Sequence, residues 1–201
     1  IAVPVTTDAN VTAVPLTITA TDAQAGGYLT AYPCGQAVPT ASNVNYVPDQ
    51  NVANLVTVGV GANRSVCFYS YAAAHVIVDL AGTYKSDITT TTGLTGQVPS
   101  RLLDTRSGSR LADDREVAVT VTSDPAVKAV ALNITSTGSL AGGFITAYPC
   151  GGARPTASNV NYAAGQTVAN AAIVQVGAGG KVCFYAYRST HVIVDLLATF
   201  S

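Results

Sequence analysis

An internal repeat constrains the fold of this chain more than any other feature of its sequence. The octapeptide PTASNVNY occurs twice, at residues 39–46 and 155–162. A shift of 116 positions aligns residues 1–85 with residues 117–201 without a gap, and about 50 of the 85 aligned pairs are identical. Because a fixed internal period indicates a repeated structural unit, the sequence predicts two copies of one module.

The hydrophobic pattern predicts β-strands in both copies. The segment AVPLTITAT alternates Val14, Leu16 and Ile18 with proline and threonines, which is typical of a strand with one buried face. Short segments of this kind recur about every ten residues, separated by Gly, Asn, Pro or Asp, and no segment shows a sustained helical period. The predicted fold is therefore all-β, with two tandem antiparallel β-sandwich modules of jelly-roll-like type related by internal duplication.

The repeat also predicts the domain boundaries. We expect a first β-sandwich module at residues 1–85 and a polar, threonine-rich linker at residues 86–100. The second module is expected at residues 101–201, where the segment RLLDTR at residues 101–106 leads into the repeat.

Four cysteines fall as one pair in each copy, Cys34 with Cys67 and Cys150 with Cys183. A zinc site would need closely spaced ligand pairs such as CxxC, and the cysteine spacing and neighbouring residues do not supply them. The pairing therefore predicts one disulfide in each module. Disulfides persist in oxidising compartments, so we expect an extracellular protein, either secreted or held at the cell surface. The sequence contains no methionine, which indicates a processed chain.

Charge and hydropathy exclude several classes of partner. The net charge is -1 and only 10% of the residues are charged, so no basic face is available for nucleic acid. The longest apolar runs span a few residues, whereas a membrane-spanning helix needs about 20. The mean hydropathy of +0.33 is high for a chain without such a span, so either little of the surface is charged or part of it is covered by something else.

The segment RLLDTRSG is followed by GGFITAYPCG, RPTASNVNY, VCFY and THVIVDLLATF. Together these motifs resemble a repeat module of secreted actinobacterial proteins, and the resemblance covers essentially all of residues 101–200 and, apart from RLLDTR, residues 1–84. It implies an accessory or surface domain and supplies no catalytic residue.

The first copy lacks the RLLDTR element. If that element forms a strand of the module, the first copy presents an open edge, which is a ready site for strand addition from another chain. Truncation of a longer sequence is the simpler explanation of its absence.

Catalysis is not expected, because no residue pattern supplies a nucleophile with its base. His75 and Asp79, like their counterparts His191 and Asp195, lie four residues apart, which is about 13 Å along a strand and too far for a hydrogen bond. We interpret all four as structural. Asp104 and Arg106 are expected to form a structural charge pair. The cysteines are committed to disulfides, no GxSxG elbow is present, and no motif indicates a metal or cofactor.

The octapeptide supplies amides and a phenol in both copies. These are groups that recognise sugar hydroxyls by hydrogen bonding and stacking. The same asparagines can instead cap turns through their own backbone. The candidate glycan-binding residues are Asn43, Asn45, Tyr46, Asn159, Asn161 and Tyr162.

Two functions of different classes follow. The first is a non-catalytic structural or adhesive surface protein that associates with itself, as a homo-oligomer or filament, through apolar low-charge faces or an open strand edge. The second is a bivalent, lectin-like module for cell-wall or environmental polysaccharide, although the absence of tryptophan removes the usual stacking platform. Low charge and high hydropathy favour the first.

Overall fold

The computed structural model describes residues 1–40, 42–86 and 93–201. The chain divides into two compact units, Ile1–Thr91 and Thr92–Ser201. Both units are all-β, and the described residues contain no α-helix, only short 3₁₀ turns. Every strand pairing within the described sheets is antiparallel, which confirms the all-β, antiparallel part of the predicted fold.

The described residues of the first unit form eight strands in two sheets. They are β1 (Ala2–Pro4), β2 (Val11–Thr21), β3 (Gly27–Pro33), β4 (Val44–Tyr46), β5 (Val52–Gly59), β6 (Ser65–Ser70), β7 (His75–Leu80) and β8 (Tyr84–Lys85). One sheet has the order β1-β6-β3-β4. The other has the order β5-β2-β7, and the short β8 continues along β2.

The described residues of the second unit form the equivalent strands in the same order, with β16 spanning the positions of β7 and the first position of β8 and with β9 as an addition. They are β9 (Leu94–Asp104), β10 (Arg115–Thr120), β11 (Ala129–Thr137), β12 (Gly143–Pro149), β13 (Val160–Tyr162), β14 (Val168–Gln175), β15 (Lys181–Ala186) and β16 (His191–Phe200). One sheet has the order β10-β15-β12-β13. The other has the order β14-β11-β16-β9, so the additional strand β9 extends this sheet beyond β16.

The hydrophobic core of each unit is formed by both of its sheets. In β11 the side chains of Val130, Leu132 and Ile134 are fully buried, and the residues between them are half-buried. These side chains share a core with Ile145 of β12 and Phe184 of β15, which belong to the other sheet. The equivalent residues of the first unit form a core of the same kind. Burial of these apolar surfaces is the main stabilising term of each unit.

Both predicted disulfides are confirmed. Cys34 bonds to Cys67 with their Cα atoms 4.9 Å apart, and Cys150 bonds to Cys183 with their Cα atoms 5.0 Å apart. Each bond joins the end of one strand to the middle of its neighbour in the four-stranded sheet that begins with β1 or β10. Backbone hydrogen bonds hold a later loop beside each disulfide. The amide of Ala62 donates to the carbonyl of Cys34, and the amide of Ala178 donates to the carbonyl of Cys150.

The second unit begins earlier than the sequence predicted. Strand β9 starts at Leu94, inside the predicted linker, and Leu94 pairs with Phe200 at the end of β16. Gly93 and Ser201 continue this pairing through two backbone hydrogen bonds of 2.9 and 3.2 Å. Polar residues with weak strand propensity are thus held extended by their partner strand. Residues 87–92 of the predicted linker lie outside the described residues.

Candidate functional site

The two units differ most at one edge of the sheet that contains β7 or β16. These strands share the sequence HVIVDL, at residues 75–80 and 191–196. Strand β16 lies between β11 and β9, whereas β7 pairs with β2 alone in the part of the chain that the structure describes. The outer side of β7 is therefore an open strand edge. The first four residues of the RLLDTR element form the end of β9, its last two begin the 3₁₀ turn Thr105–Ser107, and the element belongs to the second unit.

Identical side chains consequently have different exposure in the two strands. Ile77 is 50% exposed, whereas Ile193 is 6% exposed. Leu80 is 52% exposed, whereas Leu196 is 7% exposed. We call the outer side of β7 with these two apolar side chains the β7 edge. Exposed backbone and exposed branched aliphatic side chains together form a surface that accepts a further strand.

His191 and Asp195 do not form a pair with each other: Asp195 contacts Arg101 of β9, and His191 contacts Thr105 in the 3₁₀ turn that follows β9. The guanidinium of Arg101 donates to the carboxylate of Asp195, and the two groups form an ion pair. The Nδ1 atom of His191 lies 3.2 Å from the hydroxyl of Thr105 and 3.1 Å from its carbonyl oxygen. The Thr105 hydroxyl also accepts a 2.9 Å hydrogen bond from the amide of Val192. Polar residues of β16 thus fix the register of β9.

Asp104 and Arg106 form the expected charge pair. The Arg106 side chain donates to both carboxylate oxygens of Asp104, at 2.6 to 3.2 Å, and the Arg106 amide donates at 3.0 Å. Arg101 adds a bond of 2.8 Å to the same carboxylate. The hydrogen bonds from Arg106 are the main reason why the pKa of Asp104 lies well below its usual range. These contacts stabilise the 3₁₀ turn Thr105–Ser107 at the end of β9.

The matching residues of the first unit have none of these contacts. Asp79 has no ion-pair partner among the described residues, and partial burial raises its pKa. His75 is exposed. Because β7 has the same sequence as the first six residues of β16, the difference follows the pairing of β16 with β9, which has no counterpart beside β7 among the described residues.

The structure places the repeated asparagines Asn43 and Asn159 in contacts within their own units. The side-chain oxygen of Asn159 accepts a 2.7 Å hydrogen bond from the amide of Ala147, and the carbonyl of Asn159 accepts one of 2.7 Å from the side chain of Asn170. The first unit repeats both contacts with Asn43, Ala31 and Asn54. Asn54 and Asn170 were not predicted as partners of these asparagines, although both are kept in the repeat.

The repeated tyrosines are buried. The hydroxyl of Tyr46 donates to the carbonyl of Ala72 at 2.8 Å, and that of Tyr162 donates to the carbonyl of Arg188 at 2.5 Å. Burial is the main reason why the pKa of Tyr162 is raised to about 12. Asn45 is exposed, and Asn161 donates to Ser158 at 3.1 Å. Of the predicted glycan-binding residues, Asn45 alone is exposed, whereas Asn43, Asn159 and Asn161 are half-buried.

A second surface, an aromatic row, lies on the sheet of β12 and β15 and was not predicted. Phe144 and Tyr187 stack with their ring centroids 5.1 Å apart and their planes at 8°. The Arg154 guanidinium lies 3.7 Å from the centroid of Tyr185. These side chains line a groove of about 330 Å³ together with Thr146, Pro155 and Thr156. The groove thus includes the first two residues of the octapeptide.

The first unit has an aromatic row at the matching positions, but a valine replaces the arginine that covers the row in the second unit. Tyr28 and Tyr71 stack with centroids 5.3 Å apart, and Tyr28 lies 6.1 Å from Tyr69. The residue that matches Arg154 is Val38, so no guanidinium covers this row. The sequence signal for the row was a pair of tyrosines two and four positions after the second cysteine of each copy, Tyr69 and Tyr71 in the first and Tyr185 and Tyr187 in the second.

No group of three or more His, Cys, Asp or Glu side chains that could hold a metal ion lies among residues 1–40, 42–86 and 93–201. Within the same residues, no helix has the length and apolar character needed to cross a membrane. Comparisons with protein-family models, with curated proteins and with solved structures found no match.

Proposed function

We propose that this chain is a non-catalytic extracellular protein with a structural or adhesive role, built from two tandem β-sandwich modules that arose by internal duplication. It associates with further copies of itself, and the β7 edge is the contact surface. The two disulfides support an oxidising location, because such bonds persist outside the cytosol.

The single observation that carries this proposal is the difference in exposure between identical strands. Ile77 and Leu80 are about half exposed, while Ile193 and Leu196 are almost completely buried by β9. Natural proteins protect edge strands with charges, prolines or covering loops. The β7 edge has no lysine, arginine or proline, and its one carboxylate, Asp79, is partly buried. A second copy offers the same edge for antiparallel pairing.

Replacing Ile77 with lysine is expected to weaken self-association by about tenfold or more, because each copy would bring a charge into the paired edges. The side chain of Ile77 is half exposed, so the unit should remain folded. Light scattering after size exclusion, over a range of chain concentrations, measures the association.

Val47→Lys is the matched control, because Val47 is 51% exposed and lies outside β7. It should associate like the original chain. A mass that stays monomeric at every concentration, or equal association of Ile77→Lys and the original chain, would contradict the proposal.

The groove over the aromatic row favours carbohydrate binding as a second candidate function. Aromatic side chains stack on the apolar faces of sugar rings, and Arg154, Thr146 and Thr156 offer hydrogen-bonding groups beside Tyr185 and Tyr187. With a related row in the first unit, two sites on one chain would add avidity.

Tyr187→Ala is expected to reduce binding to an insoluble polysaccharide by about tenfold, because it removes a partly exposed ring from the groove. Pull-down with β-glucan, chitin and peptidoglycan measures the bound fraction. Leu140→Ala is the control, since Leu140 is 69% exposed and does not line the groove. Absence of binding by the original chain to all three polymers, or equal binding by both variants, counts against this function.

A further inference from the structure

The second unit shows which strand the sequence HVIVDL receives at its outer edge. In β16 this sequence pairs antiparallel with β9, with Ile193 opposite Asp104, Val194 opposite Leu103 and Asp195 opposite Arg101. The pairing is irregular between Val194 and Asp195, because β9 has an extra residue there. The RLLDTR residues in β9 therefore pair with the HVIVDL segment of β16 in one defined antiparallel register.

Three side-chain interactions make this match specific. Arg101 forms its ion pair with Asp195, and Thr105 contacts both the His191 ring and the Val192 amide. Leu102 and Leu103 pack against the core of the unit. The arginine and the threonine thus contact residues of HVIVDL, and the two leucines pack against the core to which its Val192, Val194 and Leu196 belong.

The β7 edge presents the same residues without these partners. Asp79 occupies the position of Asp195, His75 that of His191, and Ile77 that of Ile193. Strand β7 also pairs with β2 in the register that β16 adopts with β11: Asp79 lies opposite Thr17, as Asp195 lies opposite Asn133, and positions 17 and 133 match in the repeat. The backbone of β7 is thus already held in the arrangement that binds β9 in the second unit.

The strand that β7 lacks cannot come from β9 itself. RLLDTR occurs once in this sequence, and its only copy is paired with β16. Moving it to β7 would expose the residues of β16 that it now buries. A strand that binds the β7 edge in the way that β9 binds β16 is therefore a different segment with the same sequence pattern.

We propose that the β7 edge is a docking site for an extended RLLDTR-type strand other than β9, bound antiparallel with its first arginine on Asp79 and its threonine on His75. When bound, this strand closes the edge against a second copy of the chain. The inference rests on the proposed function, in that both require the β7 edge to accept a strand, and it names the strand and its effect on self-association.

A fluorescein-labelled peptide with the sequence of residues 94–107, LTGQVPSRLLDTRS, tests the docking. Fluorescence anisotropy with the full chain is expected to show saturable binding with one peptide per chain. A peptide with the same residues in scrambled order is the control and should bind at least about tenfold more weakly, because strand addition needs the correct side-chain order.

A charge exchange tests the register. The peptide with Arg101→Asp is expected to bind the original chain about tenfold more weakly, since it places two carboxylates together. The chain with Asp79→Arg should lose affinity for the original peptide and regain it for the exchanged peptide. Recovery of this kind requires contact between these two positions and locates the peptide on β7.

Two controls accompany the charge exchange. Circular dichroism of the Asp79→Arg chain shows whether the unit is folded. The Ile77→Lys chain provides an independent check, because it should also bind less peptide.

The outcomes separate this inference from the proposed function. Equal binding of the original and scrambled peptides, or no binding up to millimolar peptide, would overturn the docking even if the chain self-associates and Ile77→Lys prevents it. In that case a second copy is the occupant of the edge. Specific peptide binding by a chain that stays monomeric at every concentration would support the docking and refute self-association. If both are correct, added peptide dissociates the self-associated chain.

Discussion

Removing the disulfide of the first unit, by the double substitution Cys34→Ala and Cys67→Ala, is expected to lower its free energy of unfolding by about 3 to 4 kcal/mol. The bond closes a loop between residues separated by 33 positions. Without the bond the unfolded chain has more conformational entropy, and for a loop of this size the entropy gain corresponds to about 3 to 4 kcal/mol of lost stability. Each unit has its own core, so the loss should be confined to the first. Urea denaturation followed by tyrosine fluorescence measures it.

The matched control is the double substitution Cys150→Ala and Cys183→Ala, which removes the equivalent bond from the second unit with the same separation of 33. We expect each variant to shift one of two unfolding transitions and to leave the other in place. Equal shifts of both transitions by either variant would show that the units do not unfold separately. A change of less than about 1 kcal/mol would mean that the disulfide contributes little.

The substitution Gly177→Ala is expected to destabilise the second unit by about 3 kcal/mol. A Cβ atom at this position would lie 2.2 Å from the backbone nitrogen of Cys150 and 2.4 Å from its carbonyl oxygen. Backbone atoms held by a disulfide and by strand pairing cannot move aside as the end of a side chain can, so the clash distorts the loop. The reason is space and not backbone conformation, because φ of Gly177 is -93°. Thermal unfolding followed by circular dichroism measures the effect.

Gly142→Ala is the control for this clash, because its nearest contact from an added Cβ would be 3.6 Å, an ordinary van der Waals distance. It should leave stability within about 1 kcal/mol of the original chain. Gly61→Ala should reproduce the large loss in the first unit, where the added atom would lie 2.2 Å from the nitrogen of Cys34. If Gly177→Ala and Gly142→Ala unfold at the same temperature, the close approach does not exist in solution.

Much of the fold follows from local sequence signals. The alternation in β2 and β11 predicts strands because apolar side chains on one face must leave water together. The cysteine pairs predict disulfides because both members of each pair recur at the same spacing. The beginning of β9 could not be predicted this way. Its polar residues have no strand signal of their own, and they are extended because β16 offers them a partner.

The candidate surfaces were less accessible to sequence reasoning. The missing RLLDTR segment predicted an open edge on the first copy, but locating the edge on β7 required the pairing of β9 with β16. The sequence around Asn159 was compatible both with binding a sugar and with capping a turn. Its bond to the Ala147 amide joins residues 12 positions apart, and that contact has no local signature. The stacking of Phe144 on Tyr187 spans a still longer separation.

The pairing of Gly93 and Leu94 with Ser201 and Phe200 has a mechanical consequence for the second unit. The chain enters and leaves this unit at neighbouring points on two antiparallel strands. Tension applied at these points pulls β9 and β16 apart from one end, so their backbone hydrogen bonds bear load one after another instead of together. A chain under tension would therefore lengthen first by peeling off β9, at low force, while the cysteine-linked sheet of the unit stayed intact.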